Sequence, residues 1–202
     1  MARPRAATYD DQRQAMLAHA AELFARQGYT ATTMNQVAAA CGVTKPTLYH
    51  YFADKHSLLL HITAGHMARL EALSTEVQAL ALPPEARVRA LIERFMQVYA
   101  HAQNEHRVLT EDVRFLPDDE RARVVAAERR VVAAFAEAIA ALRPELQPRA
   151  LDKPLTMLLF GMMNWTFTWL RANGGLSHEA LGALIADLFC GGLQHLRPEP
   201  QG

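Results

Sequence analysis

Little in this chain suits chemistry on a substrate. Its two cysteines, Cys41 and Cys190, lie far apart in 202 residues, which fits small reduced core residues better than a disulfide framework. No Gly-rich phosphate loop, no Ser, Cys or His nucleophile motif and no paired carboxylates in an apolar setting occur, so no catalytic residue and no cofactor are expected. His101 and His106 stand five apart, on different sides of a helix, and with His61, His66, Glu105, Glu111 and Asp112 they have poor spacing for a metal. Solvated or lightly buried histidines are expected there, and no metal. The nearest candidate for a membrane span, Leu155–Leu170, is too short and is interrupted by Asn164 and threonines. The start lacks an apolar signal core, so a cytoplasmic chain with no membrane partner is the expectation. An excess of one charge is missing too, with 21 basic residues against 21 acidic.

What is abundant is helix-forming, apolar sequence. Half of the residues are hydrophobic, ample for a core, and the apolar positions recur at helical rather than alternating spacing. Asp10 or Asp11 is expected to open a first helix with Ala15, Met16, Ala20, Leu23 and Phe24 inward, ended by Gly28. Asp54 is expected to cap a long helix through Leu58, Ile62, Leu70 and Leu73 towards Leu80, broken by Pro83-Pro84. Further helices are expected over Glu85–Ala102, Glu105–Phe115, Asp118–Leu142, Leu151–Arg171 and His178–Leu196. The fold class is therefore all-α.

Residues 32–58 carry the sharpest signal. Thr33 can cap a short helix bearing Met34, Val37, Ala38 and Cys41, Gly42 can take the left-handed turn, and Val43 can plug the space between two helices. Thr44 can cap a second helix with Pro46 in its first turn, where a missing amide hydrogen costs little. Leu48 and Phe52 then face inward and leave Lys45, Thr47, Tyr49, His50 and Tyr51 on the other surface. An ordinary capped hairpin is the competing reading. The combination of caps, turn and an exposed aromatic-polar face favours a helix-turn-helix whose second helix reads bases. Charge distribution agrees: residues 1–60 hold six Lys or Arg against four Asp or Glu, and Arg3 and Arg5 form either a basic arm or a plain disordered end.

The segment from about Gln12 to Leu60 resembles the amino-terminal domain of the tetracycline-repressor (TetR/AcrR) family. The resemblance runs through Ala20-Ala21-Glu22-Leu23-Phe24, Gly28-Tyr29, Thr32-Thr33 and Leu48-Tyr49-His50-Tyr51-Phe52, then Lys55 and Leu58. It implies Lys45, Pro46, Thr47 and His50 near bases, with Thr33, Tyr49, Tyr51 and Lys55 on the phosphate backbone. Asn35 departs from the charged residue that many relatives carry. The implied organisation is a three-helix helix-turn-helix domain over 1–55 and a helical effector-binding and dimerisation domain over 56–202. The implied partners are a double-stranded operator, a small-molecule effector and a second copy of the chain.

The last helices carry a second pattern. Leu155, Leu158, Met162, Trp165 and Trp169 share one helix face, while Phe160, Met163 and Phe167 fall on another. Asn173-Gly174-Gly175 supplies a reversal and Ser177 a cap for a helix presenting Leu181, Leu184, Ile185, Leu188, Phe189 and Leu193, with Gly182, Gly191 and Gly192 allowing close approach. A helix apolar on two sides needs two covers, so Trp165, Trp169, Leu181, Leu184, Ile185, Leu188 and Phe189 are expected in a homodimer interface, with a monomeric core the alternative. Phe95, Met96, Tyr99, Phe115, Met157, Phe160 and Phe167 are candidate effector-pocket walls, with Asn104, Arg114, Asn164 and Arg171 as polar anchors. Plain core packing explains any one of them equally well. The stretches Phe160–Trp165, Gly175–Ser177 and Phe189–Leu193 are similar to family members that sense acyl-coenzyme A thioesters, and this resemblance implies a repressor released by such an effector. An all-helical enzyme using that cavity, or a dimerisation module without DNA binding, stands as the alternative.

Overall fold

The computed structural model describes residues 8–170 and 174–197. Arg3, Arg5, Arg171 and Asn173 lie outside the described residues. Among those described, nine α-helices follow one another without a strand: α1 Tyr9–Gln27, α2 Met34–Ala40, α3 Lys45–Tyr51, α4 Lys55–Ala79, α5 Pro84–His101, α6 Gln103–Asp112, α7 Asp118–Leu142, α8 Asp152–Asn164 and α9 His178–His195. The fold is all-α.

Two compact units emerge. Among the described residues, one comprises 8–66 and 104–124 and the other 67–103, 125–170 and 174–197, with the divisions falling inside α4, α6 and α7. In the first, α1 buries Met16, Leu17, Ala20, Leu23 and Phe24 against Val37, Leu48, Phe52 and Leu58 of the same unit. Thr8, rather than Asp10 or Asp11, caps α1: its hydroxyl accepts from the Asp11 amide at 3.2 Å while the Asp11 carboxylate accepts from Thr8. A capping box places its acidic partner three residues inside the helix, which is why the aspartate lies one turn beyond the cap. Residues 104–124 join this unit through a ring stack of Phe115 on Tyr29, with centroids 5.4 Å apart.

In the second unit, α5 and α9 form the main helix pair, closely packed because Gly182 leaves room: a Cβ there would sit 3.2 Å from the Met96 Cβ. Arg89 ties the pair together by donating to Asp187 of α9 at 2.6 Å and to Glu85 at 3.1 Å. α8 ends at Asn164, seven residues before the expected boundary, and continues as a 3₁₀ turn over Trp165–Thr168. The Thr166 hydroxyl donates to the Met163 carbonyl and that of Thr168 to the Trp165 carbonyl. Such bonds from β-branched threonines compete with the helical ladder and tighten the last turn.

Candidate nucleic-acid interface and effector region

The reading head is specified from both ends of its turn. The Thr33 hydroxyl accepts from the Gln36 amide at 3.3 Å and the Gln36 side chain accepts from the Thr33 amide at 2.8 Å, which starts α2. Gly42 adopts φ +66°, a left-handed conformation that costs a Cβ-bearing residue about 1–2 kcal/mol. The Val43 amide then closes onto the Ala38 carbonyl at 3.0 Å. Thr44 caps α3 by accepting from the Thr47 amide at 3.3 Å, with Pro46 in the first turn. Leu48 and Phe52 are buried, while Lys45, Pro46, Thr47, Tyr49 and His50 are exposed together on the opposite surface. The Lys45 ammonium lies over the Tyr49 ring, 5.8 Å from its centroid.

Two residues expected at the phosphate backbone are engaged elsewhere. Lys55 donates to the carbonyls of Tyr29 and Thr32 at 2.9 Å each and of Thr30 at 3.3 Å, with its charge 4.4 Å from the Tyr29 ring centroid. An ammonium has three N–H groups, so none is left for a phosphate in this conformation. The Tyr51 hydroxyl donates to Gln12 of α1 at 2.6 Å. Thr33 is exposed, but its hydroxyl is occupied with the cap.

Tyr29 emerges as the hub of this unit. Phe24, Phe115 and the Lys55 ammonium surround its ring. Its buried hydroxyl has no hydrogen-bond partner, and burial, then Asp54 and Asp112, pushes its pKa up to about 12. Asp112, buried at the end of α6, accepts from the Tyr29 amide, and burial holds its carboxyl above the usual range. His66 and His106, expected to be solvated or lightly buried, are buried side by side with ring nitrogens 3.3 Å apart. Their separation of 40 positions hid the pairing from any reading of local spacing.

The expected effector walls separate. Phe95, Met96, Tyr99 and Phe160 are buried together in the second unit, where Phe135, not singled out in the sequence, completes the cluster. Its ring centroid lies 4.9 Å from that of Phe95 and 4.8 Å from that of Phe160. A polar contact enters this shell: the Tyr99 hydroxyl donates to Asn164 at 2.8 Å. Burial raises the Tyr99 pKa well above its usual value, so the hydroxyl stays protonated as a donor. Phe167 is half-buried with its ring against Trp165. Met157 departs from the set, being 53% exposed on the outer side of α8, and Phe115 belongs to the first unit.

The expected interface residues also divide by helical phase. Leu181, Ile185 and Phe189 are buried within their own chain, whereas Leu184 and Leu188, each three or four residues away, are 48% and 61% exposed. Trp165 and Trp169 are likewise exposed, as are Leu158 and Met162 on α8. Leu155, Leu158, Met162, Leu188, Phe189, Gly192, Leu193 and Leu196 line an apolar groove of about 370 Å³. Added methyls at Gly191 and Gly192 would meet nothing.

A capped pair of short helices around a left-handed glycine, with an exposed face on the second, defines a helix-turn-helix DNA-binding protein. Residues 16–62 match the model of the tetR family of bacterial regulatory proteins, and residues 81–193 match the tetracyclin repressor-like C-terminal domain. The chain belongs to the TetR family of transcriptional regulators. A TetR-family regulator from Bordetella parapertussis 12822 shares 34% identity and a TM-score of 0.87, over 95% of this chain and 100% of that one. AibR, solved with isovaleryl coenzyme A and operator DNA, has a TM-score of 0.75 at 25% identity, over 88% and 97% of the two chains. The transcriptional activator FasR of Mycolicibacterium smegmatis is 30% identical over 103 residues, 51% of this chain and 47% of its own length, so the chain spans about half of that relative. No helix among the described residues is long and apolar enough to cross a membrane.

Proposed function

We propose that this protein is a homodimeric repressor that occupies a palindromic operator and leaves it when a small apolar effector, of the acyl-coenzyme A thioester class, binds. Residues 1–55 carry the DNA contact and 56–202 the effector and dimer functions. The observation that carries the reading is the exposed face of α3. Lys45, Pro46, Thr47 and His50 are exposed at the surface on a helix anchored by fully buried Leu48. Lys45 and His50 offer donors to base edges, and the Thr47 methyl and Pro46 ring offer apolar contact to thymine. Tyr49 flanks this face and supplies a backbone contact. Two such helices related by a twofold axis fit successive major grooves.

The exposed apolar strip of Leu158, Met162, Trp165, Trp169, Leu184 and Leu188 supports pairing through α8 and α9, since a strip of this kind is covered by a second copy of itself in an isologous dimer. The Tyr99–Asn164 contact within the Phe95, Phe135 and Phe160 shell supports an apolar effector carrying one carbonyl. A thioester oxygen accepts from Tyr99 in place of Asn164. To release the operator, the effector must bind the non-DNA conformation more tightly, and a coupling of about 1–3 kcal/mol weakens DNA binding roughly five- to 150-fold.

The test uses duplexes that the purified protein enriches from a random library and the region upstream of its own coding sequence. Specific retardation that fades on addition of isovaleryl coenzyme A, but not of free coenzyme A, is the expected result. A reporter fused to the recovered operator should fall silent with the protein and recover with the effector. Retardation unchanged by any acyl chain length removes the thioester class, and a reporter that rises with the protein removes repression.

A further inference from the structure

The first turn of α1 lies outside the helix-turn-helix, yet it grips the last turn of the reading helix. The Tyr9 ring stacks on that of Tyr51 with centroids 4.5 Å apart and planes 21° from parallel. Both meet the His50 ring edge-on, at 6.3 Å from Tyr9 and 5.5 Å from Tyr51. Gln12, one turn further along α1, accepts the Tyr51 hydroxyl proton at 2.6 Å. All four residues lie at the surface or partly exposed, so the assembly is no piece of core. It costs two ordered aromatic side chains and a glutamine without burying much apolar area, which makes stability a poor reason for it.

We infer that Tyr9 and Gln12 are positioning residues for sequence reading: they hold Tyr51, and through it the His50 imidazole, in the orientation that meets a base edge. α3 is only seven residues long and its last turn is already leaving helical geometry at Phe52, where φ is −138°. Without a brace, the ring of His50 is free to turn about its χ angles, and each wrong rotamer removes a base contact. Two edge-to-face contacts and one stack remove that freedom before DNA arrives, a form of preorganisation that raises specific affinity without adding a phosphate contact. The Tyr51 hydroxyl has its proton on Gln12, so it has nothing to donate to a phosphate oxygen, which only accepts. Its role is inward.

The inference rests on DNA reading by α3, and the experiment separates the two. Wild type, Tyr9→Phe, Tyr9→Ala and Gln12→Ala are each titrated, over a range of salt, against the duplex the wild type enriches from a random library and against a scrambled duplex. Tyr9→Ala should bind the enriched duplex about two- to tenfold more weakly, and Gln12→Ala should lose a similar factor. Both should leave the scrambled duplex and the salt slope unchanged, and Tyr9→Phe, which keeps the stack, should match the wild type. Repeating the selection with Tyr9→Ala should blur the same base position that His50→Ala blurs. Thermal melts of each variant identify any loss that comes from unfolding, and Gln12→Ala leaves the ring stack in place if Tyr9→Ala melts early.

A Tyr9→Ala protein with wild-type affinity and preference overturns the inference. So does a loss equal on both duplexes, which marks a contact that does not depend on sequence, or a Tyr9→Phe protein as weak as Tyr9→Ala. A wild-type chain that enriches no sequence overturns base reading itself, and the brace with it.

Discussion

Replacing Lys55 by methionine distinguishes two roles for one cation, a phosphate contact and an internal clasp. The side chain closes the loop between α1 and α2 onto the start of α4, with two bonds of 2.9 Å to the half-buried carbonyls of Tyr29 and Thr32. The third, to Thr30, is longer and exposed, so water replaces it at little cost. Hydrogen bonds to a charged group contribute about 1.5–3 kcal/mol each. Allowing for water access to a half-buried ammonium, Lys55→Met should lower stability by about 2–4 kcal/mol. For a chain of this size that is a fall in melting temperature of roughly 4–16 °C, measured by calorimetry. Burial already holds the Lys55 pKa below its usual value, as expected of a cation withdrawn from solvent.

The DNA assay supplies the opposing outcome. A residue on a phosphate takes about 0.9 from the slope of log affinity against log salt when it is removed. A clasp leaves the slope of the surviving folded protein unchanged. Lys55→Met with wild-type melting and a slope shallower by about one refutes the structural role and restores the phosphate role suggested by family resemblance.

Three further outcomes follow from the same geometry. Tyr29→Phe removes a buried hydroxyl that has no partner, so stability at neutral pH should hold or rise. The wild type keeps its phenol protonated to about pH 12, whereas the unfolded chain loses the proton near the ordinary 10.0, so stability falls as pH rises through that window and the Phe variant loses this component of the decline. Gly182→Leu should cost about 1–3 kcal/mol by pressing α9 off α5 at Met96, whereas Gly161→Ala, whose added methyl meets open space, should gain up to about 1 kcal/mol in helix propensity; urea unfolding reads both. The Leu184→Asp, Leu188→Asp double variant should raise the dimer dissociation constant by two to four decades, because each leucine counts twice across a twofold axis and, with only the exposed half of each side chain left to bury, the four together account for about 3–6 kcal/mol of apolar burial. Sedimentation at micromolar concentration checks it, and an intact dimer there excludes this face.

How much of this was legible depended on how local each signal is. Caps and turns sit within four residues of the backbone groups they satisfy, so Thr33, Gly42, Thr44, Pro46 and Ser177 took the positions their chemistry demands. Pro83-Pro84 ended α4 and opened α5 for the same reason. The misses are contacts between positions far apart in the chain. Nothing near Lys55 announces that three carbonyls 23 to 26 residues earlier will absorb its protons. The Tyr51 donor to Gln12 spans 39 residues and the His66–His106 pair spans 40. A surface-looking lysine, tyrosine or histidine is ambiguous until the fold brings its partner.

The amphipathic pattern of α9 shows where periodicity stops being enough. Leucines and isoleucines three and four apart mark an apolar helix, and Leu181, Leu184, Ile185 and Leu188 all read as interface material. Phase decides otherwise: Leu181 and Ile185 are buried on the side of α9 where Gly182 meets Met96 of α5, while Leu184 and Leu188 are exposed. That assignment needed one datum the sequence does not hold, which side of α9 meets α5. Given it, the two-sided character of α8 and α9 sorts into an inward set that stabilises the monomer and an outward set with no cover in the chain. A substitution at Ile185 should therefore cost folding, and one at Leu188 should cost association. The two measurements divide a single apolar stripe into its two functions.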